Sequence, residues 1–293
     1  MPAPAHLHAK GRLAIVAGWG QLPLYLAEAA RAAGDEPVIV TLSNEADQDF
    51  DSFETLRTGV GDLAGIERFL RDKRVDRVVM SGAVRRRPEW RDIRPTWKTL
   101  VRVPAVVRTL LSGGDDTVLQ MVIGLFEGMG CRVIGAHDIA PNLLARSGAL
   151  TALSPSADDL CDIQEGMKAA LALGELDIGQ GAVSVGGRVV ALEGVEGTDR
   201  MLERVASLRD EGRISKRRRG VLVKLSKPQQ DMRADLPAIG ISTVANAARA
   251  GLAGIAVEAG RALVLDEQAI IAAAERAGLF VCGVDTKLPR GGL

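Results

Sequence analysis

Aromatic residues are nearly missing from this chain: Phe, Trp and Tyr make up 3% of 293 residues, with a single Tyr. The hydrophobic fraction is still 47%. Ala, Val, Leu and Ile must therefore fill the interior, and the length suits two domains better than one. Formal net charge is zero, which argues against a nucleic-acid binder driven by overall charge. Of three histidines, His6 and His8 lie near the start and His137 in the body, which leaves too few for a histidine-built metal cage. Cys131, Cys161 and Cys282 are far apart, odd in number and without metal-ligand spacing. They read as buried small apolar residues in a reducing compartment. No uninterrupted apolar run approaches the ~20 residues of a membrane span. Residues 1–11 lack the apolar stretch of a signal peptide and read as a disordered tail, so a cytoplasmic location is expected.

Alternating strand and helix patterns fill the first half. Leu13–Ala17 reads as a buried strand, Gly18-Trp19-Gly20 as a tight turn, Leu22–Ala33 as a helix and Val38–Leu42 as the next strand. That βαβ order implies a parallel sheet. Gly18 and Gly20 would let backbone approach an anionic ligand at the helix N-terminus. The dinucleotide fingerprint is incomplete, however: its third glycine is missing around Pro23, and Ser43 and Asn44 stand where an acid belongs. A helix from Gly61 and Asp62 to Lys73, a strand Val75–Met80, a helix from Gly113 through Met129 and a strand Arg132–Ile134 continue the pattern. Asp115 or Asp116 caps the Gly113 helix, or binds phosphate or metal from that loop. His137 reads as a hydrogen-bonded structural residue.

The fold class expected is α/β in two domains. A Rossmann-like βαβ domain spans 12–140, a linker 141–149, and a C-terminal mixed α/β domain with hairpins 150–287. In the second domain Ala157–Leu173 is an amphipathic helix. Gly181–Val185 and Arg188–Leu192 flank Gly186-Gly187, a hairpin signal. Gly254–Val257 and Ala262–Leu265 read as a second hairpin across Ala259-Gly260. Helices follow from about Arg200 to Arg209, from Thr243 to Ala250 and from Asp266 to Ala277, with Leu279–Cys282 as the last strand. Arg213–Arg219 reads as a basic connector, mobile without ligand. The segment Arg85–Arg108 carries eight cations against two acids, interleaved with Trp90, Trp97 and aliphatic residues. Such a pattern suits an anionic membrane surface or an acylated substrate, or a loop and a covering helix.

The densest chemistry lies between Gly220 and Val244. Val221–Val223 is strand-like, and Lys224, Lys227, Gln230, Asp231, Arg233 and Asp235 then crowd together, with Pro228 and Pro237 stiffening the loop. Ser242 or Thr243 caps the next helix. A rigid loop between strand and helix presents catalytic side chains from a scaffold. Carboxylates beside cations suit an oxyanion substrate and a hard cation such as Mg2+; a solvated turn with surface ion pairs is the alternative. Glu193, Glu196 and Asp199 lie in a second Gly-rich turn after a strand. If both strands share one sheet with aligned ends, up to five carboxylates meet at one rim; otherwise Asp199 caps its helix and Glu193 is solvated.

Three motifs carry a resemblance: Gly114-Asp-Asp-Thr-Val118, Glu193-Gly-Val-Glu-Gly-Thr-Asp199, and Lys224-x-x-Lys-Pro-x-Gln-Asp-x-Arg-x-Asp-Leu-Pro-x-Ile-Gly240. From Leu13 to about Asp285 the chain resembles the LpxI-type UDP-2,3-diacylglucosamine pyrophosphatases of lipid A biosynthesis. It departs from them at Gly18-Trp19-Gly20, where three glycines are frequent, and at Ala234, where an aromatic is common. The resemblance implies Mg2+-dependent hydrolysis of UDP-2,3-diacylglucosamine to UMP and 2,3-diacylglucosamine 1-phosphate (lipid X), with water attacking the phosphorus nearer the sugar. The implied setting is the cytoplasm of a Gram-negative bacterium, peripheral to the inner membrane; a homodimer stays open. Asp235 and Asp231 would bind metal or activate water, with Glu193, Glu196 and Asp199 as further metal candidates. Arg233, Lys224 and Lys227 would contact phosphate beside Gln230, and Gly18, Gly20, Asp116 and Thr117 would line the N-terminal side. The alternatives are a non-catalytic nucleotide or lipid carrier and an NAD-type oxidoreductase.

Overall fold

Strands that are apolar at every position need cover on both faces, which a parallel sheet between helices supplies. The computed structural model describes residues 11–59, 61–84 and 115–286 and divides into two compact units, 1–141 and 142–293. In the first unit, strands β1 (Arg12–Ala17), β2 (Val38–Leu42), β3 (Glu54–Thr58), β4 (Val75–Ser81) and β5 (Arg132–Ile134) form a parallel sheet in the order β3-β2-β1-β4-β5. This is the Rossmann-like arrangement expected. All five residues of β2 are buried, as are five of the six in β1.

Helix α1 (Leu22–Ala32) carries Pro23 in its first turn, which its fixed φ suits. Helix α2 (Leu63–Asp72) is capped by Asp62, which accepts from the Gly65 amide at 3.1 Å. Helix α3 spans Asp115–Gly128. Strand β3 is absent from the sequence reading. Its residues Glu-Thr-Leu-Arg-Thr expose three of five positions, so an edge strand presents no apolar run. Its Glu54 takes a bond from Arg12 at 2.8 Å and pairs with Lys73, and these two cations hold its carboxyl below the usual range.

The second unit is built on a mixed sheet of β6 (Gly148–Ala149), β7 (Gly181–Ser184), β8 (Val189–Leu192), β9 (Val221–Lys224), β11 (Gly254–Glu258) and β13 (Phe280–Val284), ordered β6-β13-β11-β9-β7-β8. Strands β9, β11 and β13 are parallel; β7 runs against both β9 and β8. One face packs on α4 (Ala157–Glu175), joining Ile163 and Ala170 to Ala182, Val223 and Ala256. Gly166 lets this helix come close, since a Cβ there would stand 2.5 Å from Val223. The other face packs on α5 (Gly197–Asp210), α6 (Ile241–Arg249) and α7 (Glu267–Ala277), through Leu202, Val244 and Ile270 against Leu222, Ile255 and Val281. Aliphatic side chains dominate both clusters.

Several expectations change here. The first hairpin is present, with Gly186 and Gly187 both at positive φ. The second is not a hairpin: β12 (Leu263–Val264) leaves β11 and pairs instead with β10 (Ala238–Ile239), forming a separate two-stranded ladder. A two-residue strand lets local turn chemistry yield to a longer-range partner. Within 141–149, read as a linker, Leu143 and Ala145 are buried, the Ala145 amide donates to Ala262 O at 2.8 Å, and β6 pairs with β13. The connector Arg213–Arg219 is held in place rather than loose: the Arg209 guanidinium donates to the carbonyls of Ala250, Ser215, Arg218 and Arg219 at 2.6 to 2.9 Å. Most of the expected tail, residues 1–10, and the basic segment Arg85–Leu111 lie outside the described residues.

Cys131 and Cys282 are buried, whereas Cys161 is exposed on α4. Burial pushes the Cys282 thiol up to about 11, and burial followed by the nearby Asp76 raises Cys131. The thiolate is the reactive form. Alkylation of the native protein at mildly alkaline pH is therefore expected to label Cys161, with Cys131 and Cys282 reacting only after denaturation. Peptide mapping that finds Cys282 modified in the folded protein would contradict this.

Candidate functional site

In the second unit, β8 and β9 flank β7 and run in the same direction, so both acidic loops leave one end of the sheet. Gly181 pairs with Lys224, and the Glu193 amide donates to Gly181 O at 2.9 Å. Lys224 and Glu193 are both buried there, at 5% and 6% exposure. Buried charge must be paired or hydrogen-bonded, and a hydroxyl joins these two. Lys224 Nζ donates to Thr198 Oγ1 at 2.8 Å and to Ala238 O at 3.2 Å; Thr198 Oγ1 donates to Glu193 Oε1 at 2.7 Å. Glu193 Oε2 is buried with no hydrogen-bond partner. It lies against Gly181, where a Cβ would collide with it.

The other acids of that turn go elsewhere. Glu196 pairs with Arg204 at 3.0 Å. Asp199, in the first turn of α5, accepts from Asn246 Nδ2 at 2.7 Å, and Asn246 in turn accepts from Arg249 on α6. The aligned strand ends are thus observed but the five-carboxylate cluster is not. Among the described residues, no group of three or more His, Cys, Asp or Glu is placed to hold a metal ion. The side chains diverge because α5 starts at Gly197 and carries only Asp199 of the three, while Glu196 stands at its N-cap and Glu193 lies in the turn before it.

The loop 225–237 is internally bonded rather than a solvated turn. Ala234 and Asp235 amides both donate to Asp231 O, at 3.0 and 3.2 Å, which closes a single helical turn. Asp231 and Asp235, four apart, therefore share a side of it. Arg233 clamps Asp231 through its own amide at 2.9 Å, Nε at 3.0 Å and Nη2 at 2.7 Å. Gln230, 7% exposed, accepts from the Lys227 amide at 2.9 Å and donates to Asp235 Oδ2 at 2.5 Å. Lys227 Nζ pairs with Asp177 at 2.6 Å. Sequence reasoning missed Asp177, Thr198 and Asn246. Thr198 sits inside the quoted Gly-Thr-Asp motif and was legible there. Asp177 has left-handed backbone, φ 54°, and no motif marks it.

At the carboxyl ends of β1 and β4 in the first unit, Gly18 and Gly82 serve backbone approach to backbone. The Trp19 amide donates to Ala83 O at 2.8 Å and the Ala83 amide to Trp19 O at 2.9 Å. A Cβ on Gly18 would stand 2.6 Å from Ala83 O. Gly20 is required by its φ of 107°, and its amide donates to Asp47 at 2.7 Å. The expected phosphate-facing amide is therefore occupied by a side chain of the same unit. Thr117 is exposed in the first turn of α3, and the side chain of Asp116 lies outside the described residues. His137 is half-buried, and its buried Nδ1 has no hydrogen-bond partner, so the bonding expected of it does not extend to that nitrogen.

Fold and site together define a two-unit α/β protein with its polar residues gathered at one end of a mixed sheet. The chain belongs to the LpxI family: the model of the LpxI N-terminal domain matches residues 12–143 and that of the LpxI C-terminal domain residues 146–282. It is 42% identical over 276 residues to the UDP-2,3-diacylglucosamine pyrophosphatase LpxI of Caulobacter vibrioides, covering 94% of this chain and 98% of that protein. Among solved structures, the Bordetella bronchiseptica enzyme WbmG in complex with NAD matches 44% of this chain and 37% of its own, at 15% identity and a TM-score of 0.27. Thermus thermophilus UDP-glucose 4-epimerase with NAD matches 96% and 88%, at 14% identity and a TM-score of 0.29. Similarities of that size bear on neither mechanism nor ligand.

Proposed function

We propose that this chain hydrolyses the pyrophosphate of UDP-2,3-diacylglucosamine, giving UMP and 2,3-diacylglucosamine 1-phosphate. The observation that carries this reading is the 42% identity to a pyrophosphatase of that name across 94% of the chain. The internally bonded loop with Asp231, Arg233 and Asp235 is its local support. Asp235 takes the proton of the attacking water, oriented by Gln230. Arg233 and Lys227 carry positive charge to the diphosphate, where positioning and electrostatics do most of the work.

Mg2+ is proposed as the cofactor. Two carboxylates on one side of one turn fit it, because Mg2+ takes one or two carboxylates and completes its shell with water and substrate phosphate. Asp231 and Asp235 would hold it, Asp231 exchanging its pairing with Arg233 for the ion and so releasing that guanidinium to the diphosphate; Glu193, with its unpartnered Oε2, is the further candidate. When bound, the ion supplies Lewis-acid polarisation of phosphoryl oxygens. The proposed location is the cytoplasmic face of the inner membrane. Among the described residues no helix is long and apolar enough to cross a membrane, and the basic, apolar segment Arg85–Leu111 suits an anionic surface.

The test is product analysis with UDP-2,3-diacylglucosamine, with and without Mg2+. UMP and the sugar 1-phosphate are expected in equal amounts, and only with the ion. Stoichiometric binding without release of UMP would instead establish a carrier.

A further inference from the structure

Three buried carboxylates, Glu45, Asp162 and Glu258, lie apart from the site residues, and the last of them borders the loop 225–237. Glu258 ends β11 and is 6% exposed. Its Oε2 accepts from the Ser226 amide at 2.9 Å and from the Ser226 hydroxyl, while Oε1 accepts from Thr286 Oγ1 at 2.8 Å and faces Arg261 Nε at 3.9 Å. Ser226 follows β9 by two residues and Thr286 follows β13 by two. One carboxylate on the central strand of three thus grips the chain leaving each neighbour.

The consequence runs along the loop. Ser226 is covalently joined to Lys227, whose amide donates to Gln230 Oε1; Gln230 Nε2 donates to Asp235 Oδ2. From Glu258 to Asp235 every link is a hydrogen bond or a peptide bond. The path begins on a strand paired along its whole length with β13 and along most of it with β9. We propose that Glu258 is a positioning residue for Asp235, acting through Ser226 and Gln230, and that it makes the orientation of the reactive turn depend on the segment beyond β13. This rests on the role given to Asp235 above. Glu258 touches no reacting atom: it fixes where the loop starts, and Gln230 converts that into where a carboxylate oxygen points. Small displacements of such a group cost large factors in rate.

The experiment uses the full chain with Glu258→Ala, Ser226→Ala and Glu258→Gln. Glu258→Ala is expected to lower kcat roughly tenfold, and Ser226→Ala, which loses the hydroxyl bond but keeps the amide bond to Glu258, about threefold, with KM changed by less than about twofold in both. The glutamine variant should restore most of the loss, since its amide can accept from Ser226 and donate to Thr286. In a Gln230→Ala background, Glu258→Ala should add nothing, because the path is already cut. Full additivity in that cycle, or native kcat in a folded Ser226→Ala, would overturn the proposal. If Glu258→Ala does not fold, Ser226→Ala carries the same test. Amide hydrogen exchange separates this idea from the assigned reaction. Faster exchange across 226–236, with β11 and β13 unchanged, supports the clasp even if the wild-type protein releases no UMP. Unchanged exchange there rejects it even if UMP is released.

Discussion

Alanine in place of Asp235 is expected to leave a folded protein whose UMP release is slower by on the order of 10²- to 10⁴-fold, the usual contribution of a positioned proton acceptor. Asp235 ends the bonded path through Gln230 and shares its turn with Asp231. It is only partly buried, so its removal opens no cavity and the melting temperature should hardly move. Asp235→Asn sharpens the test. Its amide oxygen can still accept from Gln230, but it can neither take a proton nor attract a cation as a carboxylate does. Loss of rate in both variants assigns the effect to charge and basicity. A folded Asp235→Ala enzyme with near-native turnover would remove the residue from the mechanism.

Lys224→Met should give the largest loss of stability. The ammonium is buried on the last residue of β9 and bonded to Thr198 and Ala238. Thr198 in turn serves Glu193, whose second oxygen has no hydrogen-bond partner. Removing the cation leaves a buried carboxylate without its balancing charge. Breaking one partner of such an arrangement costs about 3–5 kcal/mol, whereas removing both charges can be nearly neutral. Urea unfolding should accordingly show a large drop for Lys224→Met and a substantial recovery for Lys224→Met with Glu193→Gln. If the single variant is as stable as wild type, the polar chain across β7 is not an energetic unit.

The parts of the fold legible in the sequence were those with a strong period or a capping residue. β1, β2 and β4 are runs of apolar residues, α2 begins on Asp62, and Gly186-Gly187 marks its hairpin. What escaped was what depends on distant partners. β3 is polar at an edge, and β10 and β12 are two residues long and pair residues 25 positions apart, Ala238 with Leu263. Cys161 was taken for core because its type is usually buried, but it falls on the outer side of α4. For the site, the loop 225–237 was legible because its charges are dense in sequence. The shared rim was a condition in the sequence reading, and the parallel run of β8 and β9 on either side of β7 meets it. The five-acid cluster failed, because strand direction says nothing about χ angles or about which helix captures an acid. Asn246 takes Asp199, Arg204 takes Glu196, and only Glu193 turns toward Lys224 through Thr198.

Arg209 reaches its four acceptors through main-chain carbonyls. Every residue type offers a carbonyl, so much of the path taken by 215–219 is set by a guanidinium on a neighbouring helix, with the Arg219 side chain adding its own anchor to Leu252 O at 2.7 Å. Kindred sequences can exchange or dilute the charge at 215–218 without rerouting it, provided arginines stay at the two anchors, 209 and 219.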